Sequence, residues 1–253
     1  MNFSDLMIEA DDLNSNGNVV NVSKKNGINI TDVVNDDGIY LTMEFSDIID
    51  NNIKKVFNDC FSKVLRKNNI NKSKSVLVVG LGNDKSTPDS LGPRVIDNII
   101  VTRQMDVLGI NSNRVVSAIK PGVTGETGIE TKDIIKGIID KIKPDFVVVI
   151  DSLKSSTIKR LIKTIQITDT GIHPGSGVNN KRDALDKKSL GIPVIAVGIP
   201  TVCDLSTIVN EFSKSNKKIP NMIVTLTEID FVIDKLSDLL SICINEVIHD
   251  IKL

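Results

Sequence analysis

What the 253-residue sequence lacks narrows the possibilities first. Lys+Arg number 31 against 32 Asp+Glu, a formal net charge of −1. No excess of either sign builds a field that would draw in nucleic acid or an anionic membrane. The three cysteines, Cys60, Cys203 and Cys243, are an odd set without CxxC spacing. That argues against a disulfide framework or a structural zinc site and fits a reducing cytosol. Nowhere do about 18 apolar residues run uninterrupted, and the N-terminus Met1-Asn2-Phe3-Ser4-Asp5 has no basic region of the signal-peptide kind. The expectation is a soluble, unexported, cytoplasmic chain. Histidine occurs twice, without an HExxH pattern, which speaks against a dedicated zinc centre. Tryptophan is absent and aromatics make up 3%, a compositional bias of a chain rich in Asn, Lys and Ile. No internal repeat, low-complexity tract or linker is visible.

What is present reads as an ordinary globular α/β chain, 40% hydrophobic and 25% charged. The segment to about Glu44 is polar and rich in Asn and Asp, but Gly38–Phe45 alternates as a half-buried strand does. From Ile49 to about Lys67 the apolar residues follow helical spacing. Then short β-branched runs recur at 76–79, 115–119, 146–150 and 194–197. Each is followed by a turn and, for most, by helical periodicity, as at Leu91, Val95 and Ile99 or at Ile134, Ile135, Ile138 and Ile139. Continuous apolar strands are covered on both faces, which implies a three-layer sandwich with a mostly parallel central sheet. Thr164–Thr168 alternates like an edge or antiparallel strand, and residues from Val232 to Val247 make a long closing helix.

In such sheets ligands bind beyond the carboxyl ends of the strands, so the residues after each run are the candidates. Two glycine-rich loops stand there, one with Gly80, Gly82 and Asn83 and one with Gly122, Thr124 and Gly125. Lys85 replaces the third glycine of GxGxxG and there is no GxxxxGK[ST], so a phosphate reading is weak. Asp89 and Asp151 are the stronger pair. Two acids brought together repel as anions, so one holds its proton while the other stays ionised, which makes one acid and one base. A water polarised by one can then attack a peptide carbonyl while the other donates a proton. Equally, Asp89 can cap the helix starting near Ser90 and Asp151 the turn after its strand. His173 can be a base, a metal ligand or a loop anchor. Cys203 can act as a nucleophile with His173 as base or as a buried thiol, and its apolar neighbours favour the thiol. Lys181 and Arg182 can steer an acidic substrate or form a solvated basic pair.

Several stretches, in order, resemble one known family, the germination proteases. They are Gly80-Leu81-Gly82-Asn83, Thr87-Pro88-Asp89-Ser90-Leu91-Gly92-Pro93, Pro121-Gly122-Val123-Thr124-Gly125, Gly128-Ile129-Glu130-Thr131, residues 164–178 through His173-Pro174-Gly175, Asn180-Lys181-Arg182, and residues 192–202. The resemblance implies an atypical aspartic-type endopeptidase with the fold of hydrogenase maturation proteases, homotetrameric and without a cofactor or required metal. It implies a zymogen made in sporulation that digests small acid-soluble spore proteins during germination in the spore core, with no direct nucleic-acid partner and no membrane. The family's two important aspartates fall on Asp89 and Asp151. Its cleavage site, Thr/Ser-Glu/Asp before a large apolar residue with a Glu beyond two further residues, is similar to Ser4-Asp5-Leu6-Met7-Ile8-Glu9. That similarity implies self-cleavage between Asp5 and Leu6, a pro-segment of residues 1–5 and a single peptidase domain over 6–253. The chain departs from the family in its short pro-segment, in a quick passage through 216–220 where members carry an insertion, and in Asp84, a third acid expected near the pair. Two alternatives stand beside this. One is a metal-sensing maturation protease, with Asp89, Asp151 and His173 converging on a substrate-bound nickel. The other is a degenerate protein that binds spore proteins without cutting them.

Overall fold

A computed structural model describes residues 4–10, 13, 17–110, 114–175, 183–213 and 219–253. Lys181 and Arg182, the expected steering pair, and residues 1–3 of the expected pro-segment lie outside them.

The polar N-terminal stretch forms a hairpin. Strands β1 (Val19–Lys25) and β2 (Ile28–Val34) pair antiparallel with Lys25 opposite Ile28. The connecting Asn26 and Gly27 have φ of 51° and 87°, the left-handed pair whose twist suits a two-residue hairpin. That dipeptide was the signal of a hairpin in a segment that composition alone presents as polar. Next come β3 (Ile39–Glu44), α1 (Asn52–Lys67), β4 (Val76–Gly80), α2 (Leu91–Asp97), α3 (Arg103–Val107), β5 (Val116–Ile119), α4 (Thr124–Thr127), α5 (Thr131–Ile142) and β6 (Phe146–Ser155). The chain continues through β7 (Thr164–Thr168), α6 (Lys187–Leu190), β8 (Val194–Asp204), α7 (Leu205–Phe212), β9 (Ile223–Val224) and α8 (Ile229–His249).

The strands join one sheet in the order β1-β2-β3-β7-β8-β6-β4-β5, with β9 on the end of β8. The expected α/β sandwich is present, and its sheet is mixed. β8, β6, β4 and β5 run parallel, whereas every pairing from β1 across to β8 is antiparallel. β7 is antiparallel, as its alternation suggests, but lies inside the sheet between β3 and β8 rather than at an edge.

Strand alternation divides the core into two layers. Val76, Val78, Phe146, Val148, Ile150, Ile195 and Val197 face one cluster with α1, α2 and α8. Leu77, Val79, Val147 and Val149 face another with Ile135 and Ile139 of α5 and Leu190 of α6. The helix expected from Ile49 begins at Asn52, and Ile49 is exposed.

Two strands run on past their apolar runs. β6 continues through Asp151 to Ser155, and β8 through Pro200 to Asp204, because the two keep pairing, with Asp151 opposite Gly198 and Leu153 opposite Pro200. Asp151 therefore sits within a strand, which corrects its expected place in a turn after one. A register shift between Leu153 and Lys154 then re-aims the last residues of β6.

Candidate active site

Asp89 closes a short 3-10 turn, Thr87–Asp89, just ahead of α2. The turn is tied to the end of β4. Leu81 N–H donates to the Ile150 carbonyl at 2.8 Å, and Asn83 N–H donates both to the Asp89 carbonyl and to Asp89 Oδ2, each at 3.0 Å. The Asp89 carboxylate thus reaches back to Asn83, and α2 itself has no side-chain cap bond. Gly82, at φ +115°, allows this approach, since a Cβ there would stand 1.9 Å from the Asp89 carbonyl oxygen. Asp151 follows Ile150 directly, is 7% exposed, and accepts the Ser152 N–H on Oδ1 at 2.9 Å.

Both acids line one cavity of about 380 Å³, together with Asp5, Ser86, Ser152, Lys154, His173 and Thr201. His173 also borders a larger polar cavity of about 720 Å³, shared through Asp5, Leu153 and Ile172. The remaining expected site residues lie elsewhere. Asn83 acts through its backbone on Asp89. Gly122, Thr124 and Gly125 do not line the cavity; their loop meets the first glycine loop through the Lys85–Glu126 ion pair, 2.8 Å. Asp84 is exposed and faces Lys120 at 3.8 Å, so this third acid is not in the cavity wall. Cys203 is fully buried, and burial pushes its thiol pKa up, the state of a structural cysteine. His249 meets the Ile100 carbonyl at 2.9 Å. Among the described residues no three His, Cys, Asp or Glu side chains are grouped to hold a metal ion.

Three features of the cavity escaped the sequence reading. Lys154 is nearly buried and pairs with Asp204 at 2.7 Å, a partner that such burial requires. Leu153 is the one apolar residue in Asp151-Ser152-Leu153-Lys154, too little of a pattern to signal that the strand continued. Ser152 Oγ and Thr201 Oγ1 are buried without a hydrogen-bond partner, an uncommon state that a bound ligand can relieve. No local pattern announces it.

The third feature is the N-terminal segment, which is docked along the end of β6 and the middle of β7. Asp5 N–H donates to the Lys154 carbonyl at 3.0 Å, and Lys154 N–H donates to Asp5 Oδ2 at 2.8 Å. Gln166 accepts the Met7 N–H at 2.7 Å and donates to the Asp5 carbonyl at 3.1 Å. Leu6 is 2% exposed. Ser4-Asp5-Leu6, the predicted cleavage site, thus lies against the protein with Asp5 on the rim of the Asp89/Asp151 cavity.

A family model described as germination protease matches residues 3–214. The chain belongs to the germination protease family. Among its relatives, the germination protease of Bacillus mycoides (strain KBAB4) is 46% identical over 215 residues, covering 77% of this chain and 59% of the relative. That of Geobacillus sp. (strain WCH70) is 52% identical over 184 residues, 69% of this chain and 50% of the relative. The matched region thus spans between half and three fifths of these germination proteases. A solved [NiFe] hydrogenase maturation protease, HycI from Thermococcus kodakarensis KOD1, is 17% identical with a TM-score of 0.38, covering 76% of this chain and 98% of that one. Among the described residues no helix is long and apolar enough to cross a membrane.

Proposed function

We propose that the chain is an endopeptidase of spore germination that begins the breakdown of small acid-soluble spore proteins. In this reading Asp89 and Asp151 work as an acid-base pair. The ionised member takes a proton from a water that attacks the peptide carbonyl, and the protonated member donates to the departing amine. One molecule of water is added across the C–N bond, and no cofactor enters. The observation that carries the reading is that both acids line one cavity whose rim holds Asp5, the residue before the predicted cut.

The zymogen belongs to the same reading. Residues 1–5 are the pro-segment, residues 6–253 the peptidase domain, and cleavage between Asp5 and Leu6 matures the enzyme in the spore core. His173, on the same cavity, supports substrate or water there. Assembly as a homotetramer also belongs here, and sedimentation of the purified chain checks it.

The deciding experiment incubates the purified protein with one acid-soluble spore protein and maps the new termini by mass spectrometry. Cuts after an acidic residue and before a large apolar one are expected in the wild type. Asp89→Asn and Asp151→Asn are expected to fold and to lose cleavage by several orders of magnitude. Retained cleavage in both variants would reject the pair.

A further inference from the structure

Glu9 is held far more closely than a terminal segment needs. Its side chain is 2% exposed. The carboxylate accepts Ser156 N–H at 2.6 Å and Ser156 Oγ at 2.8 Å. It also accepts Ser155 Oγ at 2.8 Å, Thr157 Oγ1 at 2.9 Å and Arg160 at 3.3 Å. Ser4 Oγ closes the arrangement from within the segment. Burial works to raise this carboxyl's pKa, but the hydrogen bonds from Ser4, Ser156 and Ser155 outweigh it and hold the pKa below the ordinary value. Arg160 is itself fixed by Glu44 at 2.9 Å.

Ser4 apart, the donors come from a single stretch, 155–160, that begins at the last residue of β6, the strand carrying Asp151 and Lys154. The contacts of Asp5 and Met7 with Lys154 and Gln166 involve the segment's main chain, apart from the Asp5 carboxylate. Those of Leu6 and Glu9 belong to particular side chains, one apolar and one acidic. The segment is therefore seated as a polypeptide ligand is seated, with generic main-chain bonds and specific side-chain pockets, and one end of it stands at the Asp89/Asp151 cavity.

We propose that Ser155, Ser156, Thr157 and Arg160 form a specificity subsite. They select polypeptides bearing an acidic side chain four residues C-terminal to the residue at the cavity rim, and Glu9 occupies the subsite in cis. That a bound polypeptide is then cut rests on the endopeptidase reading; the binding itself does not. A substrate molecule must displace residues 4–9 or meet a chain from which they have moved.

The test uses the full chain carrying Asp151→Asn, to prevent turnover, and Glu9→Gln, to weaken the occupant. The probe is fluorescein-labelled Ser-Asp-Leu-Met-Ile-Glu with an amidated C-terminus, compared by anisotropy with the same peptide ending in Gln. Charge-assisted hydrogen bonds of this number predict that the Glu peptide binds about tenfold tighter or more. Adding Ser156→Ala and Thr157→Val, which leave the Arg160–Glu44 pair in place, is expected to bring the two peptides within about twofold of each other. Equal binding of the two peptides, discrimination that survives the added substitutions, or no binding of either overturns the subsite. In parallel, cleavage of both peptides is followed with Asp151 intact. Discrimination without cleavage leaves the subsite standing and defeats the endopeptidase reading. Cleavage without discrimination does the reverse.

Discussion

Asp5 and Lys154 hold each other by a pair of hydrogen bonds, Asp5 N–H to the Lys154 carbonyl at 3.0 Å and Lys154 N–H to Asp5 Oδ2 at 2.8 Å. Lys154 lies three residues beyond Asp151 on β6, so one strand carries a member of the proposed catalytic pair and the anchor of the proposed cut. The Lys154 ammonium, paired with Asp204, keeps that stretch of strand fixed in the cavity wall.

If Asp89 and Asp151 act as one unit, their losses do not add. The double variant Asp89→Asn/Asp151→Asn is expected to cleave no more slowly than the worse single variant. Rates on an acid-soluble spore protein measure this, and additive losses would mean the two acids act separately.

Gly82→Ala places a Cβ 1.9 Å from the Asp89 carbonyl oxygen at φ +115°. Strain at such a backbone position costs about 1–3 kcal/mol, and the clash moves Asp89. Lower stability in denaturant melts and a loss of cleavage exceeding that of an equally destabilised core variant are expected.

Thr201 Oγ1 is buried with no hydrogen-bond partner. Thr201→Val removes an unsatisfied hydroxyl and is expected to leave stability unchanged or slightly raised. A fall of about tenfold in kcat/KM is expected if the hydroxyl donates to substrate, on the scale of one lost hydrogen bond to a reacting group. Unchanged kinetics would remove Thr201 from the site.

The pH dependence of segment docking follows from Glu9. Its folded pKa is depressed, so its contribution is fully present above the ordinary carboxylate pKa. It is lost as pH falls through the folded value. Hydrogen exchange at the Met7 and Ser156 amides is expected to accelerate, beyond intrinsic rates, on acidification below that range. Glu9→Gln is expected to abolish this acid-dependent step.

Burial raises the Cys60 thiol to about 11 and the Cys243 thiol to about 12, and raises Cys203 as well. Iodoacetamide at neutral pH is expected to label none of the three in the native protein, to label all three in denaturant, and to leave cleavage untouched. Inhibition by alkylation of Cys203 would revive the thiol as nucleophile.

The sequence by itself determined much of the parallel half of the sheet and its covering helices, and it nominated Asp89 and Asp151 as the candidate pair. Those features are local: β-branched runs such as Val76–Val79, the helical period of Ile53 to Leu65, and turn residues directly after a run. It also carried the Ser4–Glu9 motif, as a string. Only the tertiary structure decided that Asp151 lies within a strand, that Thr124 and Asp84 are outside the cavity, and that Glu9 is gripped by residues some 150 positions away. The reason is that pairing of β6 with β8, and docking of a segment on β6 and β7, are set by contacts between distant residues. Polar stretches such as 151–160 have no hydrophobic period that reveals their partners in advance.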